Sequence, residues 1–291
     1  KAKQQWDCLD KKIKELGANV VYVDPVKDLP DMVFTANAAL LLTNKDVYIS
    51  KFKHSERSHE EKYFRSWFEN NGYNILDTNE YFEGAGDALY FGPNLVGGHG
   101  FRSEKSFYKH ITQTTVRLTN PHFYHLDTCF CPLKKMDYMI FPGAFDEESL
   151  NTIRSFGGNE ISVPESEAKL FACNAVRIEN NVILPAGCSQ TEKMLNENGY
   201  ITHALEMSEF IKSGGACKCL TLVLNDWVFM AGIKTKNNPI VQKIPEITSE
   251  VKKDLLVGSI FSKDDVLQSK WLDLQWEFLN KNTQSFDHVC V

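Results

Sequence analysis

The order of elements along the chain predicts an α/β fold closed as a five-bladed propeller, with a polar site where the blades meet. One pattern occurs five times between residues 4 and 231: a helical stretch, a short strand, then two apolar strands joined by a polar turn. The first strand of each apolar pair opens at or near a polar residue: Asn37, Asp87, Asp127, Asn174 or Thr221. Such a unit cannot cover its own apolar faces, and radial closure supplies neighbours while removing long exposed sheet edges. In a ring these polar positions converge on the axis. An open α/β sheet with the same spacing is the alternative.

Helical spacing over 4–16 leads into Val20-Val21-Tyr22-Val23, and apolar runs at 33–42 and 47–52 flank Thr43-Asn44-Lys45-Asp46. The second unit runs helix 56–71, strand 73–77 and pair 87–97; the third, helix 104–113, strand 115–118 and pair 127–142. The fourth has helix 146–156, strand 160–163 and pair 172–185; the fifth, helix 190–198, strand 201–205 and pair 219–231. Gly92-Pro93-Asn94, Lys134-Lys135-Met136-Asp137, Glu179-Asn180-Asn181 and Asn225-Asp226 are the turns. Gly17, Gly72 and Gly199 stand just past helical segments, and Ser55 and Asp146 are N-cap candidates. Residues 1–231 thus read as the propeller domain and 232–291 as an extension. In the latter, a Lys- and Asn-rich connector is punctuated by Pro239 and Pro245, and helical periodicity returns at 249–256 and 264–279.

A chain of 291 residues, 43% hydrophobic and 24% charged, can bury a sizeable core without staples. Its net charge of -6 disfavours nucleic acid or an anionic membrane as partner and is compatible with a small cationic substrate. Apolar stretches such as 38–42 are strand-sized, so no membrane span is expected. The eight cysteines are too sparse for a disulfide scaffold and several sit in apolar runs, which reads as a reducing, cytoplasmic compartment. Lys1-Ala2-Lys3-Gln4-Gln5 has no apolar signal core and no initiator Met, as expected of a processed or truncated N-terminus.

Four segments carry chemistry. Ser213-Gly214-Gly215-Ala216-Cys217-Lys218-Cys219-Leu220-Thr221 sets two glycines, free to turn tightly beside a substrate, before a thiol at a strand mouth. Cys219 is the candidate nucleophile; a buried packing thiol is the alternative. His125 and Asp127, in His125-Leu126-Asp127-Thr128, share one face if the segment is extended, and a thiol with a separate histidine is the minimum for thiol catalysis. Glu83-Gly84-Ala85-Gly86-Asp87 sets carboxylates around small residues, and Asp31 and Asn37 lie at another hairpin mouth. Arg102 follows the glycine-rich exit Gly97-Gly98-His99-Gly100, which lacks the Lys-Ser/Thr of a phosphate loop. The pairs Cys129/Cys131 and Cys217/Cys219 raise a zinc site with His125 as a rival, but C-x2-4-C spacing and H-E-x-x-H are absent, so no metal is expected.

Together these segments resemble the guanidine-modifying (pentein) superfamily of arginine deiminases, dihydrolases, dimethylarginine dimethylaminohydrolases and amidinotransferases, over most of residues 20–231. His125-Leu126-Asp127-Thr128 is similar to the deiminase HLDT motif, the Glu83 to Asp87 segment to a one-residue variant of EGGD, and the segment ending Cys219-Leu220-Thr221 to the terminal cysteine motif. The resemblance implies a five-bladed α/β propeller and hydrolysis of a guanidinium C–N bond of arginine or methylarginine without a cofactor. It implies Cys219 as nucleophile, His125 as general acid/base, and Glu83 and Asp127 as guanidinium anchors. Arg102 then matches the substrate carboxylate clamp, Asp31 helps hold the amino-acid end, and Asp87 is expected to contribute to binding. Relatives have Asp where this chain has Asn37, and Thr35-Ala36-Asn37-Ala38 together with the GAGD segment is closer to the arginine dihydrolases, which take arginine to ornithine. Dimethylarginine dimethylaminohydrolase and arginine deiminase are the alternatives, with an amino-acid sensor outside the enzymes. A homo-oligomer is compatible with all of these.

Overall fold

The protein is described by a computed structural model covering residues 1–42, 45–224 and 254–258. Its strands are β1 (Asn19–Val23), β2 (Ala39–Leu41), β3 (Asp46–Ile49), β4 (Asn74–Leu76), β5 (Ala88–Phe91), β6 (Asn94–His99) and β7 (Thr115–Arg117). There follow β8 (Phe130–Pro132), β9 (Tyr138–Ile140), β10 (Glu160–Ser162), β11 (Val176–Ile178), β12 (Asn181–Pro185), β13 (Ile201–Leu205), β14 (Thr221–Val223) and β15 (Asp254–Gly258). They form five three-stranded sheets. In four of these an antiparallel hairpin is followed, after a helical segment, by a strand parallel to its second member: β2-β3-β4, β5-β6-β7, β8-β9-β10 and β11-β12-β13. Each helix-and-strand segment therefore joins the hairpin before it, whereas the sequence grouped it with the hairpin after it. The reason is local: a parallel neighbour needs a crossover, and the helix supplies it.

The fifth sheet closes the ring. β15 lies between β14, antiparallel, and β1, parallel, with Val21 opposite Leu256 and Leu222 opposite Leu256 on the other side. This corrects two expectations. Among the described residues the partner of β14 is Asp254–Gly258, the strand expected at 227–231 lying outside them, and the end of the stretch with helical spacing at 249–256 is extended. The boundary at 231 thus leaves a propeller strand outside the domain. The Asn225-Asp226 turn, the connector and the helix at 264–279 lie outside the described residues.

The helices Ala2–Glu15, Glu61–Asn70, Glu147–Ser155 and Ser189–Glu197 stand where their periodicity placed them, each turning an apolar stripe inward, as Leu9 and Ile13 do from the first. Asp146 caps its helix by accepting from the Ser149 N–H at 2.9 Å. The segment expected to be helical at 104–113 is instead the 3₁₀ helix Lys105–His110. Its Tyr108 ring lies where a Cβ on Gly97 would be, 2.5 Å away, and its one hydroxyl hydrogen is shared between the carbonyls of Asp87 and Gly98, at 3.0 and 2.9 Å. The glycine pair of β6 makes room for packing.

Short turns precede the inner strands β2, β5, β8, β11 and β14, and hydrogen bonds join them in a closed circuit. Ala36 N–H donates to the Cys219 carbonyl, and Asn37 Nδ2 to the Glu83 carbonyl at 3.2 Å. Leu126 N–H donates to Asp87 Oδ1, Asn174 Nδ2 to the Asp127 carbonyl, and Lys218 N–H to the Asn174 carbonyl. The five polar positions noted in the sequence are all buried here. Buried polar groups persist where they are bonded, and these bonds tie neighbouring turns together.

Candidate active site

Asp31, Asn37, Arg102, His125 and Cys219 line one cavity of about 50 Å³, with Arg57, Tyr124 and Gly215 among the other walls. Glu83 reaches it through His125, whose Nε2 lies 2.7 Å from Glu83 Oε2. Asp127 reaches it through the nucleophile candidate, with its two oxygens 3.6 and 3.7 Å from Cys219 Sγ. Asp87 is placed otherwise than expected. Its Oδ2 accepts from Ser103 Oγ at 2.6 Å and its Oδ1 from Leu126 N–H at 3.1 Å, so it holds the turn that carries His125 and does not line the cavity. A larger cavity of about 140 Å³ lies among the inner strands with mainly apolar walls; Asp127 borders it, but His125 and Cys219 do not.

Local chain geometry sets each group. Gly84 has φ +63, and a Cβ there would lie 2.8 Å from the Ala36 carbonyl oxygen; a Cβ on Gly86 would lie 2.2 Å from Asn37 Nδ2. The spaced glycines of the GAGD segment are thus what allow the Glu83 and Asn37 turns to meet. A Cβ on Gly215 would lie 3.0 Å from Cys219 Sγ, which keeps the approach to the thiol open.

The Asn37 amide has a determined orientation. Arg57 Nη1, which can only donate, lies 2.9 Å from Oδ1, and the Glu83 carbonyl, which can only accept, takes Nδ2. Arg57 is in turn gripped by Glu60, with bonds of 3.0 and 2.8 Å, in a buried pair. Arg102 is more open: its guanidinium stacks over Tyr124 at 4.5 Å and stands 3.5 Å from Glu83 Oε2, with 21% of its side chain exposed.

Charge is distributed unevenly. Burial opposes ionisation of Glu83, but the hydrogen bond and charge of His125, with Arg102 and Arg57 behind it, hold the carboxyl at about 2. Its Oε1 is buried with no partner among the described residues and can accept a ligand N–H. Burial, and then the Asp127 carboxylate, push the Cys219 thiol well above its ordinary value, against Lys218 and a hydrogen bond from Asn174. Burial also raises Asp127. Among the described residues no group of three or more metal-ligating side chains forms.

Arg57, Glu60 and Tyr124 were not marked in the sequence as site residues, and Asn174 was marked only as a polar position converging on the axis. The i,i+3 spacing of Arg57 and Glu60 is a signal for an ion pair. Nothing in Phe171-Ala172-Cys173-Asn174-Ala175-Val176 signals that Asn174 meets the Cys219 sulfur.

No family model matches the chain. It is 43% identical over 234 residues to a bifunctional arginine dihydrolase/ornithine cyclodeaminase, ArgZ, of Synechocystis, covering 76% of this chain and 33% of that protein. It thus spans about a third of the length of that relative. It is 31% identical over 230 residues to an N(G),N(G)-dimethylarginine dimethylaminohydrolase of Mycobacterium tuberculosis, covering 77% of this chain and 76% of the other. The crystal structure of a substituted N-terminal domain of ArgZ, covalently bound to a reaction intermediate, superposes with a TM-score of 0.75 at 42% identity, covering 77% of this chain and 86% of that one.

Proposed function

The chain belongs to the guanidine-modifying (pentein) superfamily of arginine dihydrolases and dimethylarginine dimethylaminohydrolases, and on that premise we propose that it hydrolyses arginine to ornithine, carbon dioxide and two ammonia. The observation that carries the reading is the Asn37 amide in the cavity wall, held with its oxygen on Arg57 and its nitrogen on the Glu83 carbonyl.

A guanidinium carbon is a poor electrophile because its charge is delocalised, so carboxylates must fix it beside a thiolate. Glu83 Oε1 and Asp127 accept guanidinium N–H groups, and Arg102 holds the α-carboxylate through its planar fork. The bound cation and protonated His125 favour the Cys219 thiolate. Thiolate attack forms the S–C bond, and His125 gives its proton to the departing nitrogen, which leaves as ammonia. Neutral His125 then takes a proton from water as the oxygen attacks the amidino-thioether carbon. Collapse breaks S–C and yields citrulline.

At this stage Asn37 separates the products. An aspartate would repel the ureido oxygen, whereas an amide N–H can donate to it. Citrulline therefore stays for a second attack by Cys219, which expels the second ammonia. Water then releases a carbamate, which loses carbon dioxide to leave ornithine. The mostly polar lining also suits an unmethylated guanidinium. Asn37→Asp should make citrulline the main product while arginine is still consumed, as read by chromatography; ornithine as the main product from that variant would overturn this role for Asn37.

A further inference from the structure

One buried amide meets the reacting sulfur and is not among the residues that line the cavity. Asn174 is fully buried, and its Nδ2 lies 3.1 Å from Cys219 Sγ and 3.1 Å from the Asp127 carbonyl. Its Oδ1 accepts the N–H groups of Ala216 at 2.9 Å and Cys219 at 3.0 Å. All four bonds have unambiguous direction: backbone N–H groups can only donate and a carbonyl can only accept, so the amide nitrogen must face the sulfur. Asn174 also follows Phe171, whose φ of +59 is the left-handed conformation that side chains rarely adopt.

We propose that Asn174 is a catalytic residue of this site, donating a hydrogen bond to the Cys219 thiolate while its oxygen pins the loop that carries the cysteine. The inference rests on Cys219 being the nucleophile. A neutral donor suits both halves of the cycle. It stabilises negative sulfur before attack and again when the S–C bond breaks and sulfur takes back the electron pair. It does so without a second positive charge, which would repel the guanidinium. Lys218 lies close in sequence, but its Nζ is turned to the Thr221 carbonyl at 3.3 Å. Among the described residues, Asn174 Nδ2 is the side-chain nitrogen that hydrogen-bonds that sulfur, beside the backbone N–H of Ala216.

The test compares the wild type with Asn174→Asp and Asn174→Ala, each checked for folding by circular dichroism. Thiolate absorbance at 240 nm is titrated as a difference against Cys219→Ser, and kcat and KM are measured for arginine across pH. In the folded variants the thiolate titration should move to higher pH and kcat should fall ~10–100-fold. KM should change less than about twofold, because Asn174 does not touch the cavity. Asn174→Asp keeps acceptors for both loop N–H groups, so it decides the matter if the alanine variant does not fold. An unmoved thiolate titration, or a loss confined to KM, overturns the proposal. Wild-type turnover by Cys219→Ser would instead sink the assignment of the nucleophile, and with it this inference.

Discussion

The two flanks of the cavity are prepared to different degrees. On one side Glu83 is held ionised, bonded to His125 and backed by Arg102 and Arg57, with one oxygen left for a ligand. On the other, Cys219 sits among neutral donors and against Asp127, and burial and then the Asp127 carboxylate push its thiol well above its ordinary value. In the proposed mechanism the Glu83–His125 flank is therefore charged before substrate arrives, whereas the Cys219 flank needs a cation to complete it. A resting thiol of this kind also resists adventitious electrophiles and oxidants, since the thiolate is the reactive form.

The largest expected effect breaks the nucleophile flank. Cys219→Ser should lower turnover by at least about 10³-fold, while Cys217→Ser, which alters a buried thiol that does not line the cavity, should stay largely active. Equal losses in both, measured as ammonia release, would detach the chemistry from Cys219.

The contrast in charge state can be sharpened with electrophiles. A thiol whose pKa is raised reacts slowly below that value and gains about tenfold in thiolate per pH unit until it is passed. Neutral iodoacetamide should thus label Cys219 slowly at pH 7 and faster towards alkaline pH. Cationic chloroacetamidine, which supplies the missing charge, should inactivate faster and with a flatter pH dependence. Parallel pH profiles for the two reagents would show that the cation does not activate the sulfur.

A smaller effect probes the prepared flank. Arg102→Lys exchanges a planar fork for a point charge, and arginine binding should weaken ~10–100-fold. Binding of agmatine, which lacks the carboxylate, should change little. Equal losses for both ligands, read by calorimetry in the Cys219→Ser background, would make Arg102 a partner of Tyr124 and Glu83 alone.

Much of the fold was legible because periodicity and turn chemistry are local. The helix at Ser189–Glu197 and the hairpin of β11 and β12 follow from spacing and from Asn180-Asn181. Ring closure was not. β15 is separated from β14 by some thirty residues, and Asp254-Leu255-Leu256-Val257-Gly258 is too short for its period to tell strand from helix. Residue types at the site were legible for the groups that carry charge or a thiol, including Glu83, His125 and Cys219. Asp87 carries a charge too, yet it braces the turn. Asn174 was illegible in role, because what it does depends on four bonds to atoms brought from the Asp127 turn and the loop carrying Cys219.

Arginine itself should be the substrate and should be carried past citrulline. Incubating the wild-type protein with arginine and, separately, with N(G),N(G)-dimethylarginine, then resolving amino acids and amines by chromatography, tests it most directly. The expected result is ornithine with two ammonia per arginine, and little dimethylamine from the methylated compound. Citrulline and dimethylamine from dimethylarginine, with arginine untouched, would contradict it.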